Sequence, residues 1–111
     1  MIHLLRTRAT TQQVQEMLEA LDVYIKVAVD VKRRMLAGGG VLHADCEAVL
    51  LEDGSDQTDI WGADWIPRTK EIRYEAFINI RPTQNNRAMT IQDKGIRDLV
   101  NEIVQAVFTE K

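Results

Sequence analysis

Cysteine, histidine and proline are scarce in this chain of 111 residues, at one, two and two copies. A single thiol, Cys46, excludes an intrachain disulfide and makes a reducing compartment the natural expectation. With only His3 and His43, conventional histidine acid–base chemistry has little to draw on, and no Ser-His-Asp arrangement is suggested. No apolar run approaches the roughly 20 residues of a membrane helix. The opening "MIHLLRTRATT" is too short and too polar for a signal peptide. A soluble, cytoplasmic protein with no membrane partner is expected. "GGG" at 38–40 precedes a strand-like stretch and lacks the spacing of a nucleotide loop.

Basic residues are missing from one long segment. Between Val41 and Ile66 stand Asp45, Glu47, Glu52, Asp53, Asp56, Asp59 and Asp64, with no Lys or Arg. A nucleic-acid binder needs a concentrated basic surface to offset phosphate charge. The nearest candidate, Lys32-Arg33-Arg34, sits beside this acidic stretch, and the net charge is -3. Nucleic acid is therefore not an expected partner.

The length suits one domain over 1–111. A domain of this size buries roughly two-thirds of its unfolded surface, enough to fold without metals or disulfides. No cofactor is implied. Ile2 to Arg6 reads as an opening strand. Thr10 and Gln13 make a capping box, and Val14, Met17, Leu18 and Leu21 mark a helix ending near Asp22. Period-two alternation predicts a strand over 23–36, with "GGG" as the hairpin turn after it. Further strands are predicted over 42–52, 58–66 and 71–80. Asp93 caps a last helix, whose apolar face is Ile96, Leu99, Val100, Ile103, Val104 and Val107.

The resulting class is α+β, in the order β-α-β-β-β-β-α. The sheet is a mainly antiparallel meander with two amphipathic helices on one face. The opening strand is placed parallel to strand 23–36 by the usual β-α-β connection. A turn centred on Arg68 and Thr69 sets Asp64 beside Arg73. Trp61 and Trp65 belong to the core face, with Cys46 beside them. On the other face the row Ala28, Val49, Ile60, Phe77 is apolar, and a homodimer over it is expected, since two-fold dimers are the commonest soluble assembly.

Two polar groups are candidate sites. "HADCE" puts His43, Asp45 and Glu47 on the outer face and Cys46 in the core. A metal could be held across strands by His43, Asp45 and Asp64. Residues two apart on a strand stand roughly 7 Å apart, however, and rarely converge on one ion. A solvated ion-pair ladder with Lys32, Arg34 and Arg73 is the stronger reading. A Cys46 nucleophile is disfavoured because a buried thiol resists ionisation. In "INIRPTQNNR", Arg81 and Arg87 bracket Gln84, Asn85 and Asn86 near a helix start, a combination suited to a phosphate or carboxylate. A loop whose amides serve its own turns is the simpler reading.

The stretches "GGGVLHADCEAVLLEDGSDQTDIWG" and "INIRPTQNNRAMTIQDKGIRDLV" resemble a family of small bacterial proteins catalogued as a domain of unknown function. The resemblance covers most of the chain, implies a stand-alone domain and brings no chemistry with it. It also implies that Glu52, Gln57, Asn79, Arg81, Asn86 and Arg87 form one polar cluster. Three functional readings stay open. One is a non-enzymatic domain binding a small anion or a protein partner near the Arg81–Arg87 loop. Another is a metal-dependent enzyme using His43, Asp45, Glu47 and Asp64. The last is a regulatory module acting through protein contacts alone.

Overall fold

The computed structural model describes residues 1–109. The elements are β1 (His3–Leu5), α1 (Thr11–Met17), β2 (Ile25–Asp30), β3 (Met35–Gly40), α2 (His43–Glu52), β4 (Ile60–Ile66), β5 (Glu71–Arg73) and α3 (Lys94–Phe108). The five strands form one antiparallel sheet in the order β1-β3-β2-β4-β5. The α+β class and the antiparallel sheet agree with the sequence. So do α1 and α3, which share one face. Their contacts bury Met17, Val100, Ile103, Val104 and Val107 against Val27, Val29, Leu36, Trp61 and Trp65. Trp65 stacks on Phe108 with ring centroids 5.4 Å apart.

Local signals explain where the agreement is closest. The Thr10 hydroxyl accepts from the Gln13 N–H at 3.1 Å, and the Gln13 side chain accepts from the Thr10 N–H at 2.9 Å. The Asp93 carboxylate caps α3 by accepting from the Ile96 N–H. Asp64 pairs with Arg73 across β4 and β5, the register set by the Arg68–Thr69 turn.

Four expectations need correction. The segment 42–52 is helix α2, not a strand. Its pattern is blurred because polar His43 and Glu47 lie on the inner side with Cys46 and Leu50, while Ala44, Ala48 and Leu51 are exposed. Leu42 at the N-cap offers no acceptor; Asp45 compensates by accepting from the Leu42 N–H at 3.2 Å. Positions 43, 46, 47 and 50 then share a helical face.

The triglycine is not a turn. It closes β3 and is buried throughout. Gly39 has φ +106°, and a Cβ there would meet the Met1 carbonyl oxygen. The hairpin turns instead at 31–34, where the Asp30 carboxylate accepts from the Lys32 and Arg33 N–H groups at 3.0 and 2.8 Å. This side-chain mimicry of a turn stops the strand that alternation would have continued.

The opening strand does not lie parallel to β2. Both edges of β2 are taken, by β3 and β4, so β1 pairs antiparallel with the free edge of β3. Finally, the strand expected over 71–80 stops at Arg73, and the chain continues in two short 3-10 turns, Phe77–Asn79 and Pro82–Gln84.

Helix α2 covers the second face of the sheet. It buries Cys46 and Leu50 against Ala28, Met35, Ala37 and Ile60. The sheet is thus the middle of three layers, which is why its central strand β2 is apolar on both sides, burying Val27, Ala28 and Val29 alike. Among the described residues no helix is long and apolar enough to cross a membrane.

Candidate functional site

The polar cluster around Asn79 and Arg81 forms where β5 leaves the sheet. Gly62 in β4 faces this gap with its N–H and C=O. The Asn79 amide fills it: Oδ1 accepts from the Gly62 N–H at 2.8 Å, and Nδ2 donates to the Gly62 carbonyl at 3.0 Å. One side chain therefore takes the place of a neighbouring strand. The fit requires glycine, since a Cβ at position 62 would lie 2.6 Å from Ala76 Cβ. Asn79 also donates to the Met89 carbonyl at 3.0 Å and is fully buried.

Asn86 extends the lattice. Its Nδ2 donates to the carbonyls of Asn79, Ala88 and Thr90, and its Oδ1 accepts from the Gln92 N–H. Arg81 closes the other end. Its guanidinium donates to the carbonyls of Ile78, Gln57 and Ile60 and to the Gln84 side chain. It lies over the Trp61 ring, 4.5 Å from the centroid. Burial pulls its pKa down, and the nearby charge of Glu47 opposes that shift. Carbonyl dipoles and an aromatic face replace the acid that a buried cation ordinarily requires.

The residues grouped by resemblance thus divide. Asn79, Arg81 and Asn86 do come together, joined by the main chain of Gln57. Arg87 projects outward, and only its N–H is tied in, to the Gln92 side chain at 3.0 Å. Glu52 is exposed at the end of α2. Beside the lattice a cleft of about 190 Å³ is lined by Trp61, Gln84, Asn85, Asn86, Gln92, Asp93 and Ile96. Gln92 and the stacked Trp61 were not read from the sequence as members of this cluster. The clue was available in principle: Trp61 adjoins the one glycine of a strand.

"HADCE" is dispersed by the helix. His43 Nε2 lies 2.9 Å from Asp64 Oδ1 and 3.0 Å from the Ala63 carbonyl, and both side chains are nearly buried. Because a carbonyl can only accept, Nε2 carries a proton, and the ring pins the start of α2 to β4. Arg73 adds a weaker contact to Asp64 at 3.9 Å. Asp45 caps its own helix, and Glu47 is half-buried, with its charge near enough to act on Arg81. Among the described residues no three His, Cys, Asp or Glu groups come together to hold a metal. The Cys46 thiol is fully buried, and burial pushes its pKa up to about 11.

The apolar row is also broken up. Ala28 and Ile60 lie fully buried beneath α2, and Val49, on α2 itself, packs beside them. Phe77 alone is open, at 77% exposure. An alternation-based register cannot foresee this, because it assigned Val49 to the sheet.

Residues 3–107 match the family described as "Protein of unknown function (DUF5674)". The chain belongs to that family. No curated protein and no solved structure matches it. The match runs from the start of β1 to within one residue of the end of α3, so the Asn79–Arg81–Asn86 lattice lies within the family's domain and is not an appendage to it.

Proposed function

We propose that this protein is a non-enzymatic binding module that docks a protein partner on the loop braced by Asn79, Arg81 and Asn86. The observation that carries the reading is Phe77, 77% exposed between Ala76, whose N–H donates to the Met89 carbonyl, and Asn79, whose amide is bonded to Gly62. A large aromatic ring left in water on a rigid support is the kind of group that anchors interfaces. Ile80 and Met89, at 43% and 40% exposure, lie in the same braced segment. Arg87 supplies a cation at the rim. The Arg81 fork is already committed to carbonyls, so the small-anion form of the reading would rest on Arg87 alone. That imbalance favours a protein surface over an anion.

The first occupant to test is a second copy of this chain. A two-fold pairing through Phe77 uses the same apolar group twice and needs no complementary charge. Light scattering across a concentration series measures the assembly directly. A dimer that Phe77→Asp dissociates without changing thermal stability supports the proposal. A monomer at the highest soluble concentration removes the self-association. The metal-enzyme reading finds no comparable support in the geometry: His43 bonds Asp64, Asp45 caps its own helix, and among the described residues no third His, Cys, Asp or Glu joins the pair to hold an ion.

A further inference from the structure

A groove of about 460 Å³ opens between the chain leaving α1 and the turn joining β4 to β5, on elements that take no part in the Phe77 surface. Its walls are mostly apolar. Leu18, Ile66 and Pro67 are half-buried, and Val23 stands 66% exposed. An apolar cavity of this size with a few polar groups is the usual form of a small-molecule site.

Two charged side chains line the groove, one of each sign. Asp22 comes from the connection after α1, and Arg68 from the β4–β5 turn. They do not pair with each other, and neither side chain has an ion-pair or hydrogen-bonding partner among the described residues. Main-chain bonds hold both segments. The Asp22 N–H donates to the Leu18 carbonyl at 2.7 Å, and the Val23 N–H to the Leu21 carbonyl at 2.8 Å. Asp22 has φ +70°, a left-handed conformation that aspartate and asparagine tolerate best after glycine. Across the groove Pro67 fixes its own φ, and the Lys70 N–H donates to the Ile66 carbonyl at 2.8 Å, closing the turn around Arg68 and Thr69. The backbone under both charges is thus set before any ligand arrives, which lowers the ordering cost of binding.

An anion alone in this groove would meet Asp22, and a cation alone would meet Arg68. A neutral apolar molecule would answer neither. A guanidinium fork suits a carboxylate, an aspartate suits an ammonium, and the walls suit an aliphatic body. We propose that the groove binds a small aliphatic zwitterion, with its carboxylate on Arg68 and Thr69 and its ammonium on Asp22. A free amino acid and a short peptide with free ends share this chemistry. Leucine and leucyl-leucine, titrated separately while the protein's amide resonances are followed, distinguish the two sources. Saturable shifts at Asp22, Val23, Arg68 and Thr69 are expected with at least one of them. The N-acetyl form of the tighter binder lacks the ammonium, and its amide form lacks the carboxylate. Each should bind about tenfold more weakly, as loss of one charge-assisted contact implies. Two variants assign the ends. Asp22→Asn keeps a residue suited to φ +70° and should weaken the parent ligand about tenfold while leaving the N-acetyl form as it was. Arg68→Gln should weaken the parent ligand and leave the amide form as it was. Lys32→Gln, a charge-matched change at the β2–β3 turn, should alter nothing. The proposal is overturned if neither ligand saturates these residues, or if either capped form binds as tightly as its parent. It is equally overturned if Lys32→Gln weakens binding as much as Arg68→Gln, or if each variant weakens both capped forms alike. The capped ligands are tested on the unaltered protein, so misfolding of a variant cannot shelter the proposal.

Discussion

Replacing Asn79 tests the idea that one amide stands in for a missing strand. In Asn79→Ala the Gly62 N–H and carbonyl lose their buried partner, and the Met89 carbonyl loses one of its two bonds, keeping that from the Ala76 N–H. At about 1 kcal/mol net for each bond, the loss is roughly 3 kcal/mol, a large share of a small domain's stability. Asn79→Asp is more discriminating. It keeps the acceptor for the Gly62 N–H but turns an oxygen toward two carbonyls. In its ionised form it also buries a charge at a fully enclosed position. The folded state therefore holds this carboxyl's pKa above its unfolded value of about 3.9. Below that value both states are neutral, and the protonated acid can still donate one bond. Above it the unfolded chain ionises while the folded one resists, so the deficit grows by about 1.4 kcal/mol per pH unit until the folded pKa is reached. Urea unfolding followed through the buried Trp61 and Trp65 reads the stability of both variants. The deficit of Asn79→Asp should shrink by about 2 kcal/mol or more between about pH 7 and about pH 4, while that of Asn79→Ala stays level. A pH-independent deficit in the aspartate variant, or a loss under about 1 kcal/mol in both, would refute the ladder-completing role.

The remaining predictions address other parts of the molecule. Gly39→Ala should cost about 2 kcal/mol or more by chemical denaturation, because φ +106° and the Met1 carbonyl leave no room for a methyl group; an unchanged midpoint would show that the first residues simply move aside. Cys46 should resist thiol reagents in the native state and react on unfolding, since burial holds its pKa near 11; rapid native labelling would contradict the burial. Zinc titration should leave the melting temperature unchanged, and a stabilisation abolished by His43→Ala would restore the metal reading. Arg33 and Arg6 hold the Asp53 carboxyl below its ordinary range, the Arg33 hydrogen bond being the larger cause. That clamp is complete above about pH 3.9 and is lost as pH falls through the depressed folded value. Carbon chemical shifts of Asp53 should therefore titrate below those of a typical aspartate.

Much of the frame could be read in one dimension. Capping groups act within a turn of their helix, so Thr10, Gln13 and Asp93 placed two helix starts from local chemistry alone. The six apolar positions from Ile96 to Val107 repeat cleanly because α3 has one wet face and one dry face. The Arg68–Thr69 turn set the β4–β5 register because a short turn leaves few alternatives. Apolar periodicity failed where burial is two-sided or polar. Helix α2 turns His43 and Glu47 inward and shows alanines to solvent, so its helical period is cancelled. The triglycine reads as a turn by composition, yet its lack of side chains serves close packing against Met17 and Cys46.

The sequence by itself determined the class, the antiparallel sheet, the helix pair on one face and the burial of the tryptophans and of Cys46. These depend on short-range propensity and on which residues shun water. It also drew Asn79, Arg81 and Asn86 into one cluster through resemblance. Only the tertiary structure decided what that cluster does. Whether an arginine fork faces solvent or main-chain carbonyls depends on where β5 ends and which strand is left unpaired. Those are long-range facts, set when Asn79 takes the vacant edge of Gly62.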